Sequence, residues 1–247
     1  MVTHSSGNHG LALAYAAAAA GVPCRVVVPE GAPAAKVDRI RALGVDVVTV
    51  APPRRAPAAR EIATETGAVL VPPFDDRRII AGQGTIGLEI VADLPDVDVV
   101  LVPVGGGGLS SGIATAVRAL RPAAAVVGVE PEWAADARDS LAAGSVVVWG
   151  EDRTYRTSAD GLRLPPSELT LAHLLDRLDG IVTVTEDEIR AALGRLVRDA
   201  RLVVEPSAAV AVAARLFRAA GLPAGRTVAV VTGGNVEPAV LAAALAD

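Results

Sequence analysis

Lysine is what this sequence lacks most. Of its 23 basic residues only Lys36 is a lysine, so chemistry that needs an amine side chain has one candidate. Cysteine is as scarce. Cys24 stands alone, which excludes a disulfide framework and a cysteine metal cluster, and it reads as a packed residue in a reducing, cytoplasmic setting. Aromatic residues make up 2%, too few to stack nucleic-acid bases. The net charge of −5 also argues against a nucleic-acid partner. The three histidines, His4, His9 and His173, are too scattered for a zinc set. Residues 11–22 look like a signal-peptide core, but a polar loop precedes them without Lys or Arg. They are too short to span a bilayer, so no membrane is expected and the segment reads as a buried helix.

What the sequence does contain is 51% hydrophobic residues, enough for a large core, arranged as apolar β-branched runs alternating with helical patterns. Strands are expected at Arg25–Val28, Asp46–Val50, Ala68–Val71, Val97–Val102, Ala125–Val129, Ile181–Thr185 and Thr227–Val231. Helices are expected at Gly10–Ala20, Ala34–Leu43, Ala56–Thr66, Gly82–Ala92, Leu109–Leu120, Glu186–Ala200, Ser207–Ala219 and Pro238–Ala246. Strands this apolar, joined by helices, predict an α/β fold: two three-layer α/β/α domains with mostly parallel sheets. The boundary is expected near Pro72-Pro73, giving domains 1–73 and 74–247. Residues 144–180, with interspersed Gly, Pro and charge, read as loops and short helices. Ligands then belong in the loops at the carboxyl ends of strands.

Three such loops stand out. Gly105-Gly106-Gly107-Gly108-Leu109-Ser110-Ser111 links a strand to a helix. Four glycines let several N–H groups converge at a helix start, which suits a phosphate; a flexible turn is the alternative. No Lys follows in Walker spacing, which argues against a nucleotide triphosphate. Thr232-Gly233-Gly234-Asn235 places a hydroxyl after the last strand, as a ligand group or as a capping turn. Thr3-His4-Ser5-Ser6-Gly7-Asn8-His9-Gly10 gathers hydroxyls, an amide and an imidazole at a helix start, as a binding loop or an N-cap cluster. Glu130, the Ala134 carbonyl and Asp136 can present oxygens to Mg²⁺ or Ca²⁺. The competing reading is a strand-end acid and a helical surface acid.

These motifs, in this order, resemble the serine/threonine dehydratase and serine racemase group of fold-type II pyridoxal-phosphate enzymes (tryptophan synthase β-like). Further matches are Pro73-Phe74-Asp75-Asp76, Ala81-Gly82-Gln83-Gly84-Thr85, Ala159-Asp160-Gly161, Thr183–Ile189 and Glu205-Pro206-Ser207. The resemblance implies that Gly105, Gly106, Gly107, Gly108 and the Leu109 N–H hold the cofactor phosphate. It implies that Asn8 bonds the pyridine 3-oxygen, Phe74 lines the ring, and Thr232 faces the pyridine nitrogen. Ser5, Asn8 and His9 then grip the substrate carboxylate. Ser6 matches the position of a second acid/base in the racemase-like members. Glu130, Ala134 and Asp136 match that group's divalent-metal site, for Mg²⁺, Ca²⁺ or Mn²⁺. Against a racemase, Pro73–Asp76 and Ala159–Arg163 are more like threonine dehydratase, and Pro165-Pro166 replace substrate-binding serines. The implied reaction converts serine, threonine or 3-hydroxyaspartate to a 2-oxo acid and ammonia, in a cytoplasmic homodimer without a regulatory domain.

The same resemblance exposes a gap. Members carry a Schiff-base lysine in a Ser-x-Lys-x-Arg-Gly-type motif upstream of the Ser-Ser-Gly-Asn-His loop, and this sequence has no such motif. Lys36, beside Asp38 and Arg39, reads as a solvated surface residue without a pocket to lower its pKa. A fragment whose preceding strands and lysine lie before Met1 is the favoured expectation. The others are a lysine-less relative that binds without catalysis and a second polypeptide supplying the lysine. A cysteine-synthase-like β-replacement enzyme is the alternative chemistry, with His9 against it.

Overall fold

The computed structural model describes residues 1–5, 7–32 and 34–246, with 34–36 described by backbone alone. Contacts divide the chain into two units, Met1–Ile79 and Ile80–Asp247.

The first unit runs β1 (Val2–Thr3), α1 (Asn8–Ala19), β2 (Arg25–Pro29), α2 (Ala34–Arg41), β3 (Asp46–Val50) and α3 (Arg55–Thr66), and α4 (Arg77–Asp93) begins at its end. The strands pair in parallel in the order β1-β2-β3. Successive residues of a strand point to opposite faces, and β2 feeds two cores this way. Val26 and Val28 pack with Ala14, Ala17 and Ile40 from α1 and α2. Val27 packs with Val2, Ala58 and Ala59 on the α3 side. Two expectations change here. Ala68–Val71 is not a strand and holds only the isolated bridge Val2↔Leu70, because its neighbour β1 is two residues long and offers almost no ladder. Nor is α1 a buried helix. Ala14 and Ala17 are fully buried, but Tyr15 is 67% exposed, since the small sheet needs one covered stripe and the outer alanines serve helix propensity.

The second unit continues from α4 with β4 (Val99–Pro103), α5 (Gly108–Leu120), β5 (Ala125–Pro131), α6 (Asp136–Ala143), α7 (Glu151–Thr154), α8 (Glu168–Arg177), β6 (Gly180–Val184), α9 (Glu186–Ala200), α10 (Pro206–Phe217), β7 (Thr227–Ala229) and α11 (Pro238–Ala246). All its strand pairs are parallel, in the order β6-β5-β4-β7. Val99 and Leu101 of β4 face Leu193 and Val210 from α9 and α10. Val100 and Val102 face Ile113 and Val117 of α5. Both faces are therefore covered, as an apolar parallel sheet requires. The 144–180 stretch contains one substantial helix, α8, whose ten residues start at a capping box between Ser167 and Thr170. No helix among the described residues is long and apolar enough to cross a membrane.

Strand order positions the site. β4 and β7 are neighbours, yet α5 leaves β4 on one face while α11 leaves β7 on the other, where Ala244 joins the α9 and α10 core. The loops after β4 and β7 diverge at this switch point, and open parallel sheets bind ligands in the crevice so formed.

Candidate functional site

The turn after β4 is shaped by what glycine permits. Gly107 has φ +84, the left-handed region, and a β-carbon there would lie 2.9 Å from the Thr170 β-carbon. A β-carbon at Gly105 would lie 3.0 Å from Leu162 Cα. The turn is pinned from outside: Thr170 Oγ1–H donates to the Gly106 carbonyl at 2.8 Å. Gly161, next to Leu162, donates its N–H to Ser207 Oγ at 3.0 Å. The first helical hydrogen bond of α5 runs from Ser111 N–H to the Gly107 carbonyl, 2.9 Å. The amides of Gly108, Leu109 and Ser110 come before it and have no helical acceptor. The helix has glycine at its N-cap and no side-chain cap. Its positive end, with a backbone no side chain shields, is an anion cradle. Ser207, which braces it with Thr170, lies within the Glu205-Pro206-Ser207 match; Thr170 carries no such signal, because the Ser167-x-x-Thr170 box has Thr where Glu or Gln is usual.

Thr232 is exposed in the segment after β7. The turn beyond it is held where Glu205 N–H donates to the Gly233 carbonyl, 2.9 Å. Thr232 and Gly105–Leu109 thus occupy the two loops of the switch point.

In the first unit α1 repeats the logic of α5. Its N-cap is Gly7, without a side-chain cap, and its first helical bond is Leu11 N–H to the Gly7 carbonyl, 3.1 Å. The amides of Asn8, His9 and Gly10 therefore precede any helical pairing. Ser5 Oγ accepts from Gly7 N–H at 3.3 Å, so its own proton stays available. A β-carbon at Gly10 would collide with the Ser5 carbonyl, so only glycine lets the loop close. His9 Nε2 lies 3.1 Å from the Val71 carbonyl. Burial lowers its pKa against the pull of that carbonyl, and the neutral ring donates Nε2–H there, leaving Nδ1 an acceptor. His4 is lowered too, by burial first and then by the Arg55 and Arg60 charges. Phe74 is half-buried, and its carbonyl accepts from Asp76 N–H at 2.9 Å. Ser6 and the Lys36 side chain lie outside the described residues.

Glu130 and Asp136 flank the start of α6. Glu130 is 1% exposed and accepts the Ala137 and Arg138 N–H groups at 2.9 and 2.8 Å. Burial nevertheless pushes its pKa up to about 8. Asp136 is 2% exposed, not a surface acid. No donor meets hydrogen-bond geometry at either of its carboxylate oxygens, and burial raises its pKa to about 6. Ala134 is buried between them. Two enclosed carboxyls with spare oxygens match the donor set of a hard divalent cation, although no group of three or more His, Cys, Asp or Glu gathers among the described residues.

Comparison with known proteins extends over the same segments. The model of the family described as pyridoxal-phosphate dependent enzyme matches residues 1–233. Serine racemase of Oryza sativa subsp. indica is 38% identical over 248 residues, which is 98% of this chain and 72% of that protein. The beta-hydroxyaspartate dehydratase of Paracoccus denitrificans is 39% identical over 240 residues, 96% of this chain and 75% of its own length. The crystal structure of T.th. threonine deaminase superposes with a TM-score of 0.89 at 44% identity, covering 96% of this chain and 77% of that one. By a family match that runs through both units, this chain belongs to the pyridoxal-phosphate dependent enzymes.

Proposed function

We propose that this chain carries the binding machinery of a pyridoxal-phosphate-dependent ammonia-lyase for small β-hydroxy amino acids. Serine, threonine and 3-hydroxyaspartate are the substrates considered, the products are a 2-oxo acid and ammonia, and serine racemisation is a side reaction. The supporting observation is the Gly105–Leu109 turn, whose uncapped first-turn amides sit at the switch point of a parallel sheet.

In this reading the second unit holds the cofactor phosphate on the Gly105–Leu109 amides, and Thr232 offers a neutral hydroxyl to the pyridine nitrogen. The cofactor supplies an electron sink for charge developing at the substrate α-carbon. The first unit supplies the carboxylate donors: the Ser5 hydroxyl and the main-chain amides of Asn8 and His9 at the positive end of α1. The His9 ring, committed to Val71, positions this loop; its contribution to the carboxylate is its main-chain N–H. Asn8 also serves the pyridine 3-oxygen and Phe74 the ring edge. Glu130, the Ala134 carbonyl and Asp136 hold a divalent cation, Mg²⁺, Mn²⁺ or Ca²⁺, which neutralises two enclosed carboxyls and ties α6 to β5. The reading includes a cytoplasmic homodimer.

A second reading is binding without turnover. It is favoured by a specific observation: the only lysine, Lys36, sits in α2 beside Asp38 and Arg39. Calorimetric titration with pyridoxal phosphate and with pyridoxal tests the cradle. The phosphate ester is expected to bind roughly tenfold more tightly, the worth of one or two charge-assisted hydrogen bonds, and inorganic phosphate is expected to compete. Gly107→Ala removes most of that advantage. Equal affinities for the two compounds contradict the proposal. Release of 2-oxo acid from the three amino acids supports the lyase, whereas binding without release, and no borohydride-fixed cofactor on Lys36, supports the second reading.

A further inference from the structure

Thr170 stands on α8, outside the phosphate turn, and is fully buried. Its hydroxyl has one proton to give and two lone pairs to fill. Ser167 N–H donates to Oγ1 at 2.9 Å, and the Ser167 hydroxyl oxygen lies 3.2 Å from it. That Ser167 oxygen accepts the Thr170 N–H at 3.2 Å, which leaves its own proton for Thr170 Oγ1. The Thr170 proton then goes to the nearer of two carbonyls, Gly106 at 2.8 Å rather than Ser167 at 3.3 Å. This bond fixes a direction as well as a distance. The described peptides are trans, and a trans peptide points its C=O and N–H opposite ways. A Gly106 carbonyl turned toward α8 therefore turns the Gly107 N–H away from it. Gly107 is buried, and its N–H meets no acceptor among the described residues. A peptide between two glycines turns over easily, because neither residue has a β-carbon to oppose it. Turned over, it presents a carbonyl oxygen where an anion needs a donor.

We infer that Thr170 is a positioning residue for the anion cradle: its hydroxyl holds the Gly106–Gly107 peptide in the orientation that adds the Gly107 N–H to the amides of Gly108, Leu109 and Ser110. This rests on the phosphate reading proposed above. A carbonyl only accepts, so the clamp needs a donor at residue 170, and a methyl group of the same shape does not replace it. The same oxygen completes the capping box of α8. One side chain thus serves two elements, and mutation separates the two duties.

The test is calorimetric titration with pyridoxal phosphate and with pyridoxal, and addition of inorganic phosphate to the ¹⁵N-glycine-labelled chain. Thr170→Val keeps the side-chain shape and loses the hydroxyl. It is expected to bind pyridoxal phosphate roughly tenfold more weakly, the worth of one charge-assisted amide bond, and to bind pyridoxal as the wild type does. Thr170→Ser, which keeps the donor, is expected to restore the wild-type ratio of the two affinities. Ser167→Ala breaks the capping box and spares the Gly106 bond, so it is expected to lower the urea midpoint and leave the ratio unchanged. A wild-type ratio in folded Thr170→Val makes Thr170 a helix cap alone and overturns the inference while leaving the cradle standing. Equal affinities for the two compounds in the wild type overturn the cradle and the inference together. Where Thr170→Val does not fold, the wild-type spectrum decides. Inorganic phosphate is expected to move the Gly107 amide along with that of Gly108, and a Gly107 amide that stays in place while Gly108 shifts overturns the inference.

Discussion

A histidine that spends its Nε2–H on a main-chain carbonyl has one nitrogen left, and at His9 that nitrogen is an acceptor. The consequence is a pH dependence with a definite sign. The folded-state pKa of His9 lies below the ordinary 6.5 because burial disfavours the cation. Its contribution to stability is therefore complete above about pH 6.5 and declines as pH falls through that value toward the lower folded pKa. His4 acts in the same direction. Glu130 and Asp136, raised to about 8 and about 6, act oppositely, favouring the folded chain as pH falls. The readout is thus a difference between proteins, not the slope of one. Urea midpoints compared at about pH 7.5 and about pH 5.5 are expected to fall further in the wild type than in His9→Gln. Equal falls mean that the ring is not held neutral by the fold.

At the scale of elements, α8 and α9 carry their own start signals as capping boxes. Thr185 Oγ1 accepts from Glu188 N–H at 3.2 Å, and Glu188 Oε2 accepts from Thr185 N–H at 2.9 Å, a complete capping box at the head of α9. Glu188 also pairs with Arg218. Thr185→Ala is expected to cost about 1 kcal/mol in urea unfolding; no loss means the box is redundant with the α9–α10 packing. Glu186–Ala200 was readable from sequence to the residue because box, amphipathic stripe and length agree there. Elsewhere the local signals conflict. The true start of α4 is marked by Asp76, which accepts the Arg78 N–H at 2.7 Å; Gly82 and Gly84, inside the helix, point to a later start. In α8 the capping box uses Thr170 where Glu or Gln is usual, so a ten-residue helix hides in a stretch of interspersed Gly, Pro and charge. β1 is too short for any periodicity, and Ala68–Val71 has strand composition but almost no partner. The glycine turn was legible as an anion loop because its glycines announce a backbone need. Its braces, Thr170 and Ser207, and the enclosed oxygens of Asp136 depend on tertiary neighbours that no local pattern encodes.

At the scale of the whole molecule, the two units repeat one device: a parallel strand leads to a helix whose N-cap is glycine and whose first-turn amides lack helical acceptors. In the second unit that device coincides with the switch point between β4 and β7, and on this coincidence the account depends. The most direct measurement is a two-dimensional amide spectrum of the ¹⁵N-glycine- and ¹⁵N-leucine-labelled chain, recorded as pyridoxal phosphate is added. The account predicts that the largest amide shifts fall on Gly105 to Gly108 and Leu109, that inorganic phosphate reproduces part of the pattern, and that pyridoxal does not. Shifts centred on other glycines, with Gly105 to Gly108 unmoved at saturation, would contradict it.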